Sequence, residues 1–339
     1  MEQLQYIKIA AYRTESGKTI SITLSYQTFG KTLGDAPIVL VNHALTANST
    51  VIGTSGWWND LIGKGKCIDT EMYTILAFNV PGNGFDERPE NAIENYKDFN
   101  ARDIAKLFLL GLEQLEIDTL FAVIGGSTGG GVAWEMAAIK SECIEHLIPI
   151  AADWKSTDWL IANCHIQDSI LNNSIHPLFD ARLHAMTLYR TPESLTQKFQ
   201  RTKKEQDLFN IESWLNYHGN ALTNRFQLSA YKLMNQILRT VDITRGRESF
   251  LEIASKISSN IHIITINSDL FFKTEENWKT YEELKPIKDN VTINEIKSIH
   301  GHDAFLIEFD QLTTMLKPIF QKKKDPLDLF NNNCLKTYI

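Results

Sequence analysis

The chain has 339 residues, 43% of them hydrophobic, with 34 Lys and Arg against 41 Asp and Glu and a net charge of −7. That length can bury one large core or two, and the absence of a basic stripe argues against a nucleic-acid partner. No apolar run approaches a membrane span, MEQLQYIKIA lacks a secretory apolar stretch, and Cys67, Cys143, Cys164 and Cys334 form no C-x-x-C, so the expectation is a soluble cytoplasmic protein with no disulfide framework and no bound metal.

Residues 5–13 and 20–30 read as paired β-segments around the Ser16-Gly17 turn. Short apolar runs at 37–41, 73–78 and 120–124 predict strands buried on both faces. Ile104, Leu107, Phe108, Gly111 and Leu115 recur at helical spacing and predict a helix over 98–116. His146 to Ala152 supplies a further strand. From 153 to 258 the chain turns polar, aromatic and helix-like, and Trp154, Trp159, Tyr189, Trp214, Tyr217 and Tyr231 read as core or lid packing. Strands resume at 261–266 and 291–296, and a helix follows from Ala304 to Phe320. Lys322-Lys323-Lys324 reads as a solvated helix end, and the tail from Asp325 as a loose end. This alternation predicts an α/β fold, a mostly parallel sheet covered by helices. Its core takes residues 1–152 and 259–339, and a helical lid is inserted at 153–258.

The stretch Gly125-Gly126-Ser127-Thr128-Gly129 lies between an apolar strand and the Ala-rich amphipathic run Val132 to Ile139. Strand, G-x-S-x-G, helix is the context of a nucleophile elbow. A structural turn or a phosphate cradle are the alternatives, but neither a G-K-[ST] lysine nor a G-x-G-x-x-G spacing is present. A serine hydroxyl needs a base, itself oriented by a carboxylate. In an α/β-hydrolase arrangement these follow in the order Ser, Asp or Glu, His, each just past a strand. Asp269 follows strand 261–266, ahead of Glu275 and Glu276, which read as helix-dipole partners. His300 and His302 follow strand 291–296; His302, directly before the expected final helix, is the favoured base. The oxyanion hole takes the Thr128 amide and one from the loop Asn42 to Ala47, with Leu45 the candidate.

Several stretches carry a resemblance: Asn42-His43-Ala44-Leu45-Thr46, Gly56-Trp57-Trp58, Gly125 to Gly130, Tyr189-Arg190, Ser213-Trp214-Leu215, Gly219 with Arg225-Phe226, Ser268-Asp269 and Gly301 to Leu306. In these, spread over residues 40 to 306, the chain resembles the homoserine O-acetyltransferases of the α/β-hydrolase fold. The resemblance implies a Ser127-His302-Asp269 triad and ping-pong transfer of an acetyl group from acetyl-CoA to homoserine, with no cofactor. It also implies a homodimer formed through the lid. Arg190, matching a lid arginine of the family, would grip the acceptor carboxylate, and Asp303 its ammonium. The other readings are a helix cap before Pro192 for Arg190 and an N-cap of the last helix for Asp303. One loop departs from the family pattern: its glycine- and hydroxyl-rich stretch is replaced by Asn79 to Pro89, with Arg88 new there. The alternatives are an esterase or thioesterase, or a serine or homoserine O-succinyltransferase.

Overall fold

The computed structural model describes residues 3–321. Eight strands form the main sheet: β1 (Gln5–Arg13), β2 (Thr19–Gly30), β3 (Ile38–Asn42), β4 (Thr74–Phe78), β5 (Leu120–Gly126), β6 (Ile144–Ile150), β7 (Asn260–Ile266) and β8 (Val291–Ile296). Their spatial order is β1-β2-β4-β3-β5-β6-β7-β8. The β1–β2 hairpin and the β2–β4 pair are antiparallel, and the pairs from β4 to β8 run parallel. Alternation along each strand divides the core in two. Leu40, Leu76 and Val123 face one side with Ile104, Leu107 and Trp134. Val39, Val41, Ile75 and Ile124 face the other, with Leu312, Leu316 and Phe320.

Helix α1 (Ala101–Gln114) starts where Asn100 caps the Arg102 and Asp103 amides, three residues later than the apolar spacing alone predicts. Asp103 reaches back to the first hairpin, accepting from the Tyr12 hydroxyl and the Glu15 amide, each at 2.8 Å. Helix α2 (Thr128–Lys140) follows the Ser127 turn. The segment after β6 then builds five longer helices: α3 (Asp158–Asn173), α4 (Pro177–Tyr189), α5 (Pro192–Phe199), α6 (Asn210–Arg225) and α7 (Leu228–Arg239). Chain entry to and exit from these helices lie side by side. The Ser156 amide donates to the Val241 carbonyl at 2.8 Å, and the Ile243 amide to the Trp154 carbonyl at 3.2 Å. Beneath this clasp the buried Arg102 guanidinium donates to the Asp242, Ile243 and Arg245 carbonyls and pairs at 3.1 Å with Glu135 of α2.

Helices α8 (Phe250–Lys256), α9 (Thr274–Leu284) and α10 (Phe309–Phe320) complete the core. The expected helix from Ala304 is corrected here. Gly301–Leu306 is a 3-10 turn, and α10 begins only at Phe309. The aromatics of the inserted segment also divide. Trp154 stacks on Phe250 at 4.2 Å and Tyr231 is buried, while Tyr217 and Trp159 are exposed. The lysine run at 322–324, Cys334 and the tail from Asp325 lie outside the described residues. No described helix is long and apolar enough to cross a membrane.

Asp153, just past β6, is buried, accepts from the Trp154 amide and the Thr280 hydroxyl through Oδ1, and leaves Oδ2 without a partner among the described residues. Burial raises its pKa from 3.8 to about 7. The charged form is therefore penalised in the folded state: the penalty is absent below the unfolded value, grows as pH rises, and levels off above about 7. Asp153→Asn keeps the accepting oxygen and removes the charge. Its melting temperature is expected to gain on the unaltered protein progressively from about pH 4 to about pH 7. A difference that does not vary with pH would sink this account.

Candidate active site

The G-x-S-x-G segment forms a sharp turn between β5 and α2. Ser127 takes φ 55° and ψ −125°, a region few non-glycine residues adopt. Two glycines make room for it. A Cβ on Gly125 would stand 2.4 Å from the Gly129 carbonyl carbon, and one on Gly129 would stand 2.2 Å from the Asn42 carbonyl oxygen. The Ser127 amide donates to Ile150 O of β6 at 2.9 Å. The serine is thus wedged between the ends of β3 and β6.

Asp269 and His302 converge on it from the ends of β7 and β8. His302 Nε2 is 2.9 Å from Ser127 Oγ, and His302 Nδ1 is 2.7 Å from Asp269 Oδ2. The other carboxylate oxygen, Oδ1, accepts the Phe271 and Phe272 amides at 2.7 and 2.9 Å. These bonds compensate a carboxylate only 1% exposed. The imidazole is enclosed by rings: Phe272 stacks on it at 5.7 Å, and Phe271, Tyr189 and Phe305 lie at 5.2 to 5.6 Å. Phe305 also meets Trp58 edge-on, which gives the Gly-Trp-Trp stretch its place behind the site. Gly301, at φ 67°, makes the bend that turns the His302 side chain inward, and His302 sits in the 3-10 turn that follows. His300 points elsewhere, to Ser194 and Arg190.

The loop after β3 packs directly on the elbow, with Asn42 Nδ2 donating to the Gly129 carbonyl. From the inserted helices, Arg225 Nη1 donates to the Thr46 carbonyl at 2.9 Å. Among the described residues neither the Leu45 nor the Thr128 amide has a protein acceptor. Two peptide N–H groups therefore stand unused at the loop and the helix start that border Ser127, as an oxyanion hole requires.

Arg190 caps neither helix through its side chain. Its Nη2 donates to Ser194 Oγ at 2.6 Å and lies 3.0 Å from His300 Nδ1, with Nε also on Ser194. Asp303 does not cap α10, which begins at Phe309. Burial raises the Asp303 pKa, opposed by the His302, Arg182 and Arg190 charges. Arg182 went unread in the sequence. It lies two turns before Tyr189 on α4, with its guanidinium carbon 5.6 Å from the Tyr189 ring centroid. Its guanidinium stacks on that ring, and its charge acts on Asp303. The spacing of seven that places Arg182 and Tyr189 on one helix face was its only sequence signal.

A family model for the alpha/beta hydrolase fold matches residues 37–290. The homoserine O-acetyltransferase of Methanococcus vannielii is 31% identical, covering 91% of this chain and 70% of its own length. That of Cyclobacterium marinum is also 31% identical, over 91% of this chain and 93% of its own. The chain belongs to the homoserine O-acetyltransferase family. In fold, the Bacillus anthracis homoserine O-acetyltransferase superposes with a TM-score of 0.86 at 20% identity, over 95% of this chain and 98% of the other. Esterase E22 superposes at 0.84 and 17% identity, over 94% and 100%. Fold likeness alone therefore does not separate acyl transfer from ester hydrolysis within this family's surroundings.

A fluorophosphonate is expected to label the folded protein at Ser127 alone. Ser127→Ala should abolish labelling, and His302→Gln should slow it by about 10³-fold or more. Mass spectrometry of the labelled peptide reads the outcome, and undiminished labelling of Ser127→Ala would place the nucleophile elsewhere.

Proposed function

We propose that this chain is a homoserine O-acetyltransferase that works through an acetyl-serine. The carrying observation is the Ser127–His302–Asp269 relay at 2.9 and 2.7 Å beneath a lid rich in cations, in a chain of this family. His302, held by Asp269, takes the Ser127 proton as Oγ attacks the thioester carbonyl of acetyl-CoA. The Leu45 and Thr128 amides receive the developing oxyanion, and CoA leaves as a thiol with the proton from His302. Homoserine then gives its hydroxyl proton to His302 and takes the acetyl group, regenerating Ser127. No cofactor enters either half.

The donor is assigned as acetyl rather than succinyl because the relatives at 31% identity are homoserine O-acetyltransferases. The acceptor's ammonium is assigned to Asp303. Its carboxylate is assigned to Arg182, because Arg190 already spends Nε and Nη2 on Ser194 and His300. Transfer prevails over hydrolysis because the aromatic enclosure of His302 limits water and the lid holds the acceptor at high effective concentration. The exposed Ile175, Tyr217 and Ile166 on this segment support a homodimer formed through the lid.

With acetyl-CoA alone the protein should release CoA slowly, and homoserine should accelerate the release while O-acetylhomoserine appears by mass spectrometry. CoA release indifferent to homoserine would mean a thioesterase. Arg182→Ala and Asp303→Asn should each raise the homoserine KM by about 10-fold or more, leaving acetyl-serine formation nearly intact. Because burial already disfavours the Asp303 carboxylate, Asp303→Asn should not lower the melting temperature near neutral pH.

A further inference from the structure

Among the polar groups the mechanism leaves unused, His43 is buried at 2% exposure, within the loop that carries the Leu45 amide. Its Nε2 lies 3.0 Å from the Val80 amide nitrogen. A peptide N–H can only donate, so Nε2 is the bare nitrogen and Nδ1 carries the ring hydrogen. Nδ1 is 2.9 Å from the Ala44 carbonyl oxygen, so that bond runs from the ring to the carbonyl, which also accepts the Ala47 amide at 3.0 Å. The Ala44 carbonyl belongs to the same peptide unit as the Leu45 N–H. No cis peptide occurs among the described residues, and in a trans unit the C=O and N–H point in opposite directions. Holding the oxygen on one side therefore aims the hydrogen to the other.

We propose that His43 is a positioning residue for the oxyanion hole, its Nδ1–H fixing the Ala44–Leu45 peptide so that the Leu45 N–H is presented to the reacting carbonyl oxygen. This rests on the acyl-serine reading above. The loop after β4 keeps the ring in that state. Asn83 Nδ2 lies 3.4 Å from His43 Nε2 and donates to Asn79 Oδ1 at 3.2 Å, and Asn79 Oδ1 also accepts the Ser49 amide at 2.9 Å. Burial lowers the His43 pKa to about 4, so the ring stays neutral and the Val80 bond persists at ordinary pH. The altered 79–89 segment thus acquires a task. Its amide side chains and the Val80 N–H set the tautomer that aims the hole.

Two isosteric amides separate aiming from mere tethering. In His43→Asn the side-chain N–H overlays Nδ1 and can still donate to Ala44, but the acceptor for Val80 is lost. In His43→Gln the amide oxygen overlays Nε2 and accepts from Val80, but the side chain no longer reaches Ala44, whose carbonyl keeps only the Ala47 amide. The readout is the burst of p-nitrophenol from p-nitrophenyl acetate on the full-length protein, with melting temperatures measured alongside. H43Q is expected to slow Ser127 acylation by about 10²-fold with little change in KM, the scale of a lost oxyanion donor. H43N should recover most of that rate even where it is the less stable variant. Equal losses in the two, or H43Q acylating faster than H43N, overturn the proposal. Ring-nitrogen NMR of the unaltered protein does not depend on how either variant folds: the Nδ1–H tautomer is expected, and an Nε2–H tautomer at His43 overturns the inference. If mass spectrometry finds no acetyl on Ser127 of the unaltered protein after mixing with p-nitrophenyl acetate, it is the acyl-serine reading that fails, and the tautomer still decides the His43–Ala44 bond.

Discussion

Everything at this site depends on the approach of three backbones within one serine's turn. The ends of β3, β5 and β6 are neighbours in the sheet, and the Ser127 amide is bonded to β6 while the first turn of α2 touches the Asn42 and His43 carbonyls. That proximity holds a non-glycine residue at φ 55°, a conformation that costs on the order of 1–3 kcal/mol. The same proximity brings the β3 loop and the start of α2 to either side of the nucleophile. Strain at the serine and convergence of donors are thus one geometric fact. A larger residue at Gly129 would separate the elbow from β3 and disperse both.

The base is held by a different kind of force. His302 has two polar bonds along its plane and rings around it, Tyr189 from the inserted segment and Phe271, Phe272 and Phe305 from the core. Aromatic faces exclude water without competing for the imidazole's hydrogen bonds. In that dry setting the Asp269 carboxylate needs the two peptide donors it receives from Phe271 and Phe272. The core thereby brings Ser127, His302 and Asp269 together, while the helices above supply Tyr189 and the Arg182 and Arg190 charges that act on Asp303.

Ser127, Asp269 and His302 were legible in the sequence because their evidence is local: each follows a short apolar run, and chain order supplies the rest. The sheet was readable for the same reason. Arg182 was not, since Asp303, on which its charge acts, comes from another element and a polar helix offers many charges of equal standing. The role of His43 was hidden too, because it lies in the direction of one hydrogen bond. The stretch from Ala304 to Phe320 reads as one helix, but Gly301–Leu306 closes as a 3-10 turn and the α-helix starts only at Phe309. What decided the matter is Phe305, drawn inward beneath Gly126.

The clasp between Trp154–Ser156 and Val241–Ile243 makes the residues between them a closed loop whose ends are fixed by the core itself, through Arg102 and Glu135. For a loop already closed, doubling its length adds only about 0.6 kcal/mol of entropy. Helices can therefore be added, removed or reshaped inside that boundary with little consequence for the sheet below, provided new helices bury their own apolar faces. The scaffold behaves as a socket: the Ser127–His302–Asp269 relay is fixed at the bottom, and the cassette of helices above it can change without disturbing it.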